Sequence, residues 1–206
     1  MHMLSRFLVT GALVLLSTSP VIRVSTAHSN SSRLLGSQDL VQLARFNSVE
    51  LRNGGKVILR HGPVQRVTLL KGSLNYTEVT VAGRDRLVID KCRNKCPRGY
   101  QLELEIVAPD IAAVSVADGG TIEALGSFPR RNEIAVAVSQ GGTIDIRSMT
   151  VDSVTAAVDQ GGRIFTKPHT AMTASIHQGG EITYWGDARV TSSVHQGGAV
   201  TKGTAG

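Results

Sequence analysis

Two histidines stand in the same local setting near the C-terminal end of this chain. His177 and His195 each open the run His-Gln-Gly-Gly. Asp159 holds the equivalent place in Asp-Gln-Gly-Gly, Ser139 in Ser-Gln-Gly-Gly and Ala117 in Ala-Asp-Gly-Gly. Imidazole and carboxylate bind Zn²⁺ or Cu²⁺, and a divalent site needs three or four such donors at about 2.0–2.2 Å. If these runs stack on strands about 4.8 Å apart, Asp159, His177 and His195 form one column able to share a surface metal. The simpler expectation is an outward corner position that accepts any polar residue. No cofactor is expected.

Other side chains suit binding better than bond-breaking. Tyr184 and Trp185 lie together on a late repeat, where an exposed ring would stack on a sugar or anchor an interface. The alternative for Trp185 is a cover over its own coil. Phe128, Arg130 and Arg131 make a second candidate patch. Glycoside hydrolysis needs two carboxyls about 5–9 Å apart across a groove. Here Glu123, Asp145, Asp152, Asp159, Glu181 and Asp187 are scattered, with no paired spacing. No nucleophile elbow, phosphate loop or His-Glu-x-x-His run is present. A carbohydrate-active lyase or hydrolase is therefore the second reading, and a structural envelope scaffold the third. Cys92 and Cys96 are the two cysteines, spaced C-x₃-C rather than the redox spacing C-x-x-C. In an exported chain they are expected to form a local structural disulfide.

The elements that position these groups follow from periodicity. Five Gly-Gly pairs, Gly119–Gly120, Gly141–Gly142, Gly161–Gly162, Gly179–Gly180 and Gly197–Gly198, recur at steps of 22, 20, 18 and 18 residues. Three residues before the first glycine come Val116, Val138, Val158, Ile176 and Val194; three after it come Ile122, Ile144, Ile164, Ile182 and Val200. Side chains alternate between faces along a strand, so these aliphatics share one interior on either side of a glycine corner. One such unit cannot bury its apolar face alone, and stacked units can. The fold class expected is all-β, a parallel β-solenoid, with an antiparallel sandwich or prism as the competitor. Asp118, Gln140, Gln160, Gln178 and Gln196 are expected to stack as a polar ladder. Upstream, short alternating runs from Phe46 onward read as strands broken by glycine, including Gly54–Gly55; Leu40–Phe46 reads as a short helix or an entry strand.

Residues 1–27 carry Arg6, the apolar run Phe7–Leu16, and Ser25 and Ala27 at the −3 and −1 positions of a cleavage site, the pattern of a signal peptide. Residues 28–40 read as a flexible, Ser-rich lead-in and 41–206 as a single domain. No later run is apolar enough to span a membrane. The formal charge is +6, or +4 without Arg6 and Arg23. That suits anionic envelope polymers. Aromatics are only 4% of the chain and interleave with no basic stripe, which argues against nucleic acid.

The runs "FNSVELRNGGKVILRHGPVQRVTLL" (Phe46–Leu70), "LVIDKC" and "LELEIVAPDIAAVSVADGGTIEALG" resemble the putative auto-transporter adhesin, head GIN domain family. The resemblance covers about residues 40–204 and rests on a Phe-x-x-Val opening and the strand Leu104–Val116 leading into glycine repeats. It implies a right-handed parallel β-helix and an exported protein, periplasmic or at the cell surface. It supplies no catalytic residues to carry over. The Cys-x₃-Cys insert and the His-Gln corners fall outside its pattern. The function expected is non-catalytic binding or adhesion at the envelope, toward glycan or another surface polymer, with self-association as a further possibility.

Overall fold

A computed structural model describes residues 38–40, 43–93 and 95–204. The expected signal peptide lies outside the described residues, as does the lead-in except for its last three. Within them the chain is all-β, with no helix. The strands are β1 (Gln38–Leu40), β2 (Ser48–Arg52), β3 (Lys56–His61), β4 (Arg66–Lys71), β5 (Glu78–Ala82), β6 (Arg86–Asp90), β7 (Glu103–Ala108), β8 (Ala113–Ala117), β9 (Thr121–Ala124), β10 (Arg131–Gln140), β11 (Thr143–Asp145), β12 (Val151–Gln160), β13 (Arg163–Thr166), β14 (Pro168–Gln178), β15 (Glu181–Tyr184), β16 (Arg189–Val194) and β17 (Ala199–Lys202).

They form two facing sheets, ordered β1-β4-β7-β3-β9-β11-β13-β15-β17 and β16-β14-β12-β10-β8-β2-β6-β5. From β8 onward, each strand of one sheet turns through a Gly-Gly corner into a strand of the other. The sequence spacings are the strand registers. Val116 pairs with Val138, Val138 with Val158, and Val158 with Ile176 on one sheet; Ile122 pairs with Ile144, Ile144 with Ile164, and Ile164 with Ile182 on the other. All eight of these aliphatics are buried. Burying such columns on both sides of each corner holds the sheets together.

The glycine corner has a physical cause beyond its turn. The second glycine of each pair has φ near +100°, as Gly142 (100°) and Gly162 (106°) show, where an L-residue is strained. It also leaves no room. A Cβ on Gly162 would lie 2.5 Å from Val138 Cγ1 and 3.1 Å from the Gly142 carbonyl of the preceding rung, whereas one on Gly161 meets nothing within 4 Å. Arg163 N donates to the Gly142 carbonyl at 2.9 Å and Glu181 N to that of Gly162 at 2.9 Å. A backbone ladder thus runs through the second glycines.

That ladder reveals a corner missing from the periodic alignment. Thr121 N donates to the Gly55 carbonyl at 2.9 Å, and Leu51 and Val57 pair with Val116 and Ile122. Asn53–Gly55 is a sixth corner, with Asn53 at φ 58° matching Asp118 at φ 60°. Asn and Asp tolerate this region better than most residues. The rungs are not consecutive, however. β2–β3 sits between β6–β7 and β8–β9, so the first rung made is an interior one.

The stack is not a uniform parallel coil. β4 runs antiparallel to β7, β1 to β4 and β5 to β6, closing one end. Residues 43–46 of the expected short helix or entry strand have no regular structure. The polar ladder exists only as backbone register: Gln140, Gln160 and Gln178 align, and Gly141 and Gly161 N–H groups donate to the Gln160 and Gln178 carbonyls at 3.1 Å. The amides themselves are exposed, so water satisfies them without a partner.

Candidate ligand-binding face

The corner fixes which later residues face out. Glu123, Asp145, Phe165 and Thr183 share one register on the outer face of the nine-stranded sheet. Two residues further on, just past their strands, come Leu125, Arg147, Lys167 and Trp185. The turns that follow β11, β13 and β15 therefore deliver a guanidinium, an ammonium and an indole to one side of the molecule.

Arg147 is braced there. Its Nε lies 2.9 Å from Asp145 Oδ1 and its Nη2 lies 2.6 Å from Oδ2. The hydrogen bond to Asp145 raises the Arg147 pKa further above its usual value, and slight burial opposes it. The guanidinium carbon stands 5.6 Å from the Phe165 ring centre and 4.9 Å from that of Trp185. These are cation–π distances. Phe165 and Trp185 are tilted against each other at 6.2 Å. Trp185 Nε1 donates to the Thr204 carbonyl at 3.2 Å, and a Cβ at Gly203 would collide with the indole. Trp185 is thus packed between Arg147 and Gly203. Its indole forms one wall of an open cleft.

Two clefts meet at this wall. One, of about 540 Å³, has Met149, Val151 and Pro168 on its floor and Lys167, His169 and Asp187 at its rim; the other, of about 480 Å³, is bordered by Glu123, Asp145, Leu125 and Trp185. Arg147, Ser148 and Lys167 belong to both and form the ridge between them. The three carboxylates lining the clefts each have a cation. Asp145 holds Arg147, Glu123 lies 3.3 Å from Lys56 Nζ, and Asp187 lies 2.8 Å from Lys202 Nζ. Lys167 is exposed and has no carboxylate within ion-pair distance among the described residues.

The other residues singled out from sequence are placed as follows. Tyr184 falls in the inward column opposite Thr166 and packs against the core, apart from the outward Trp185. Arg130 reaches Asp152 at 2.8 and 2.6 Å. Arg131 Nη1 lies 2.6 Å from Asp110 and also donates to the Ile111 carbonyl. Both arginines tie the longest coil to its neighbours. Phe128 is half-buried and tilted against His61 at 6.3 Å. Asp159 and His177 meet, Oδ1 to Nδ1 at 3.0 Å, but His195 turns its Nε2 to Ser193 Oγ at 3.0 Å. Among the described residues no group of three ligating side chains is assembled. Cys92 and Cys96 are joined in a disulfide. Sequence reasoning missed Arg147, Phe165 and Lys167. Their signal was available: Arg147, Lys167 and Trp185 each lie six residues past the first glycine of their corner.

The family model for the putative auto-transporter adhesin, head GIN domain, matches residues 45–166. The chain belongs to this family. No curated protein matches it. Among solved structures it is similar to a putative adhesin from Bacteroides fragilis, at 14% identity over 83% of this chain and 97% of that one, with a TM-score of 0.45. It is also similar to a putative adhesin from Parabacteroides merdae, at 12% identity over 81% and 95% of the two chains, with a TM-score of 0.40.

Proposed function

We propose that this member of the head GIN family is an exported, non-catalytic binding protein of the cell envelope, and that the Arg147–Lys167 ridge, with Trp185 beside it, engages an acidic glycan. We read its two-sheet stack as a right-handed parallel β-solenoid, supported by equal register steps on both sheets. The observation that carries the binding reading is the ridge itself. It sets an unpaired ammonium beside a guanidinium held rigid by a carboxylate and two rings, between two open clefts. Groups held in place before binding lose little entropy on meeting a ligand. A sugar carboxylate would meet Lys167, and its ring would lie on the apolar floor of Met149 and Pro168. The engagement of Asp145, Glu123 and Asp187 by Arg147, Lys56 and Lys202 supports binding over hydrolysis, since every carboxylate lining the clefts already has a cation partner.

Binding to immobilised acidic and neutral envelope polysaccharides tests this. Acidic polymers are expected to be retained, with Lys167→Gln weakening retention roughly tenfold or more. Equal retention of neutral polymers, or an unchanged Lys167→Gln variant, would remove the ridge from the function. Shortened or unsaturated sugar products would favour an enzyme.

A further inference from the structure

The closed end of the stack carries a different chemistry. Between β6 and β7 the two-glycine corner is replaced by a longer loop. Its segment Lys91–Arg98 reads Lys-Cys-Arg-Asn-Lys-Cys-Pro-Arg, with four cations and no carboxylate. The Cys92–Cys96 disulfide closes it. Arg93 is tied to Glu78 at 3.1 Å, while Lys95 and Arg98 are exposed with no carboxylate partner among the described residues.

Against this loop lies the turn between β4 and β5. Arg93 N donates to the Tyr76 carbonyl at 3.2 Å. Tyr100 Oη accepts from Ser73 N at 2.7 Å and donates to the Ser73 carbonyl at 3.0 Å, and Tyr100 packs edge-on against Tyr76 at 5.4 Å. The turn is therefore braced, yet it projects apolar groups. Leu74 is 42% exposed, Tyr76 38%, and Leu70, just before the turn, 47%. These are three of the five large exposed apolar side chains among the described residues, and Leu74 and Tyr76 stand beside Arg93 of the cation loop. A cleft of about 370 Å³ opens between Leu74, Tyr76 and Arg93.

We propose that this closed end is a docking surface for a bilayer bearing anionic lipid. Lys95, Arg98 and the neighbouring cations meet the headgroups, and Leu74 and Tyr76 enter the interface beneath them. Cations attract an anionic leaflet electrostatically. Apolar tips flanked by such cations gain from the headgroup–acyl boundary. A soluble acidic polymer uses the charge but offers nothing to Leu74, and this favours lipid as the occupant. The surface lies at the opposite end of the sheets from β16–β17 and does not depend on the glycan reading. Docked this way, the repeats would point away from the bilayer.

The test is co-sedimentation of the protein, purified in the form the cell processes, with vesicles of phosphatidylglycerol and phosphatidylcholine or of phosphatidylcholine alone. Binding is expected only to the mixed vesicles. Lys95→Gln/Arg98→Gln is expected to weaken it roughly twenty-five-fold, at about fivefold for each cation, and Leu74→Ser several-fold. The charge-matched Arg163→Gln/Arg189→Gln, from late strands, is expected to leave it unchanged. No sedimentation, equal binding to neutral vesicles, or equal losses in both double variants overturns the proposal. So does an unaffected Leu74→Ser variant together with equally tight binding of soluble dextran sulfate, which would assign the surface to a polyanion. Circular dichroism of each variant separates lost binding from lost fold.

Discussion

The two ends of the stack are built by opposite rules. At one end β1, β4 and β5 run antiparallel and cover the last parallel rung, so that Leu69, Leu87 and Ile106 are buried. At the other end β16–β17 repeats the parallel rung with nothing beyond it among the described residues. Val194, in the column where Val138 and Val158 are buried, is 43% exposed. The difference teaches that inward position alone does not make a core residue. A rung's aliphatics are buried by the next rung as much as by the opposite sheet.

Three experiments would break or sharpen this comparison. The largest effect is expected at an interior corner. Gly162→Ala should cost roughly 4 kcal/mol or more, because strain and collision act together. Gly161→Ala, strained but open, should cost about 1–2 kcal/mol. Gly55→Ala should fall between them, since its nearest neighbour is Leu102 at 3.3 Å rather than Val138 Cγ1 at 2.5 Å. Urea unfolding measures all three. Equal losses at Gly161 and Gly162 would show that the turn matters and the close approach does not.

The second compares columns. Ile164→Ala, fully buried in the middle, should cost about 2–5 kcal/mol. Val194→Ala at the uncovered end should stay within about 0.5 kcal/mol. A large loss at Val194 would mean that the last rung is covered in solution. The smallest effect is electrostatic. Hydrogen bonds from Arg130 and Lys202 lower the pKa values of Asp152 and Asp187, and both pairs are exposed. A lowered folded pKa contributes stability that is present above the unfolded value near 3.9 and lost as pH falls through the folded one. Thermal midpoints should therefore fall below about pH 4, and Arg130→Met should shrink that fall slightly. An unchanged profile in Arg130→Met would remove the pair from the acid response.

How much of this was legible depended on where a strand's neighbours lie in the chain. From Val114 to Val200 each rung pairs with the next one along, so the glycine spacing carried register, burial and corner together. Asn53–Gly55 makes the same corner, yet its partner Gly120 lies far downstream, and no periodic alignment joins them. The antiparallel cap had no repeat to announce it. The ligand face was half legible. Trp185 stood out by type, whereas Arg147 and Lys167 looked like ordinary solvated charges until the register put them beside it. The histidine column was legible as a column, but rotamers decide whether neighbours converge, and His195 turned to its own Ser193.

The interior position of β2–β3 has a consequence in time. This rung is made first, but one flank is filled by β6–β7 and the other by β8–β9, whose Ala113 pairs with Ser48 across the intervening cap. Closing so long a loop precedes the reward of the contacts it brings. The later rungs carry no such cost, because each pairs with its neighbour in the chain; a stack of this kind can nucleate among them and propagate. The β2–β3 rung, inserted between two rungs made later, is expected to lock in after the repeats rather than before them.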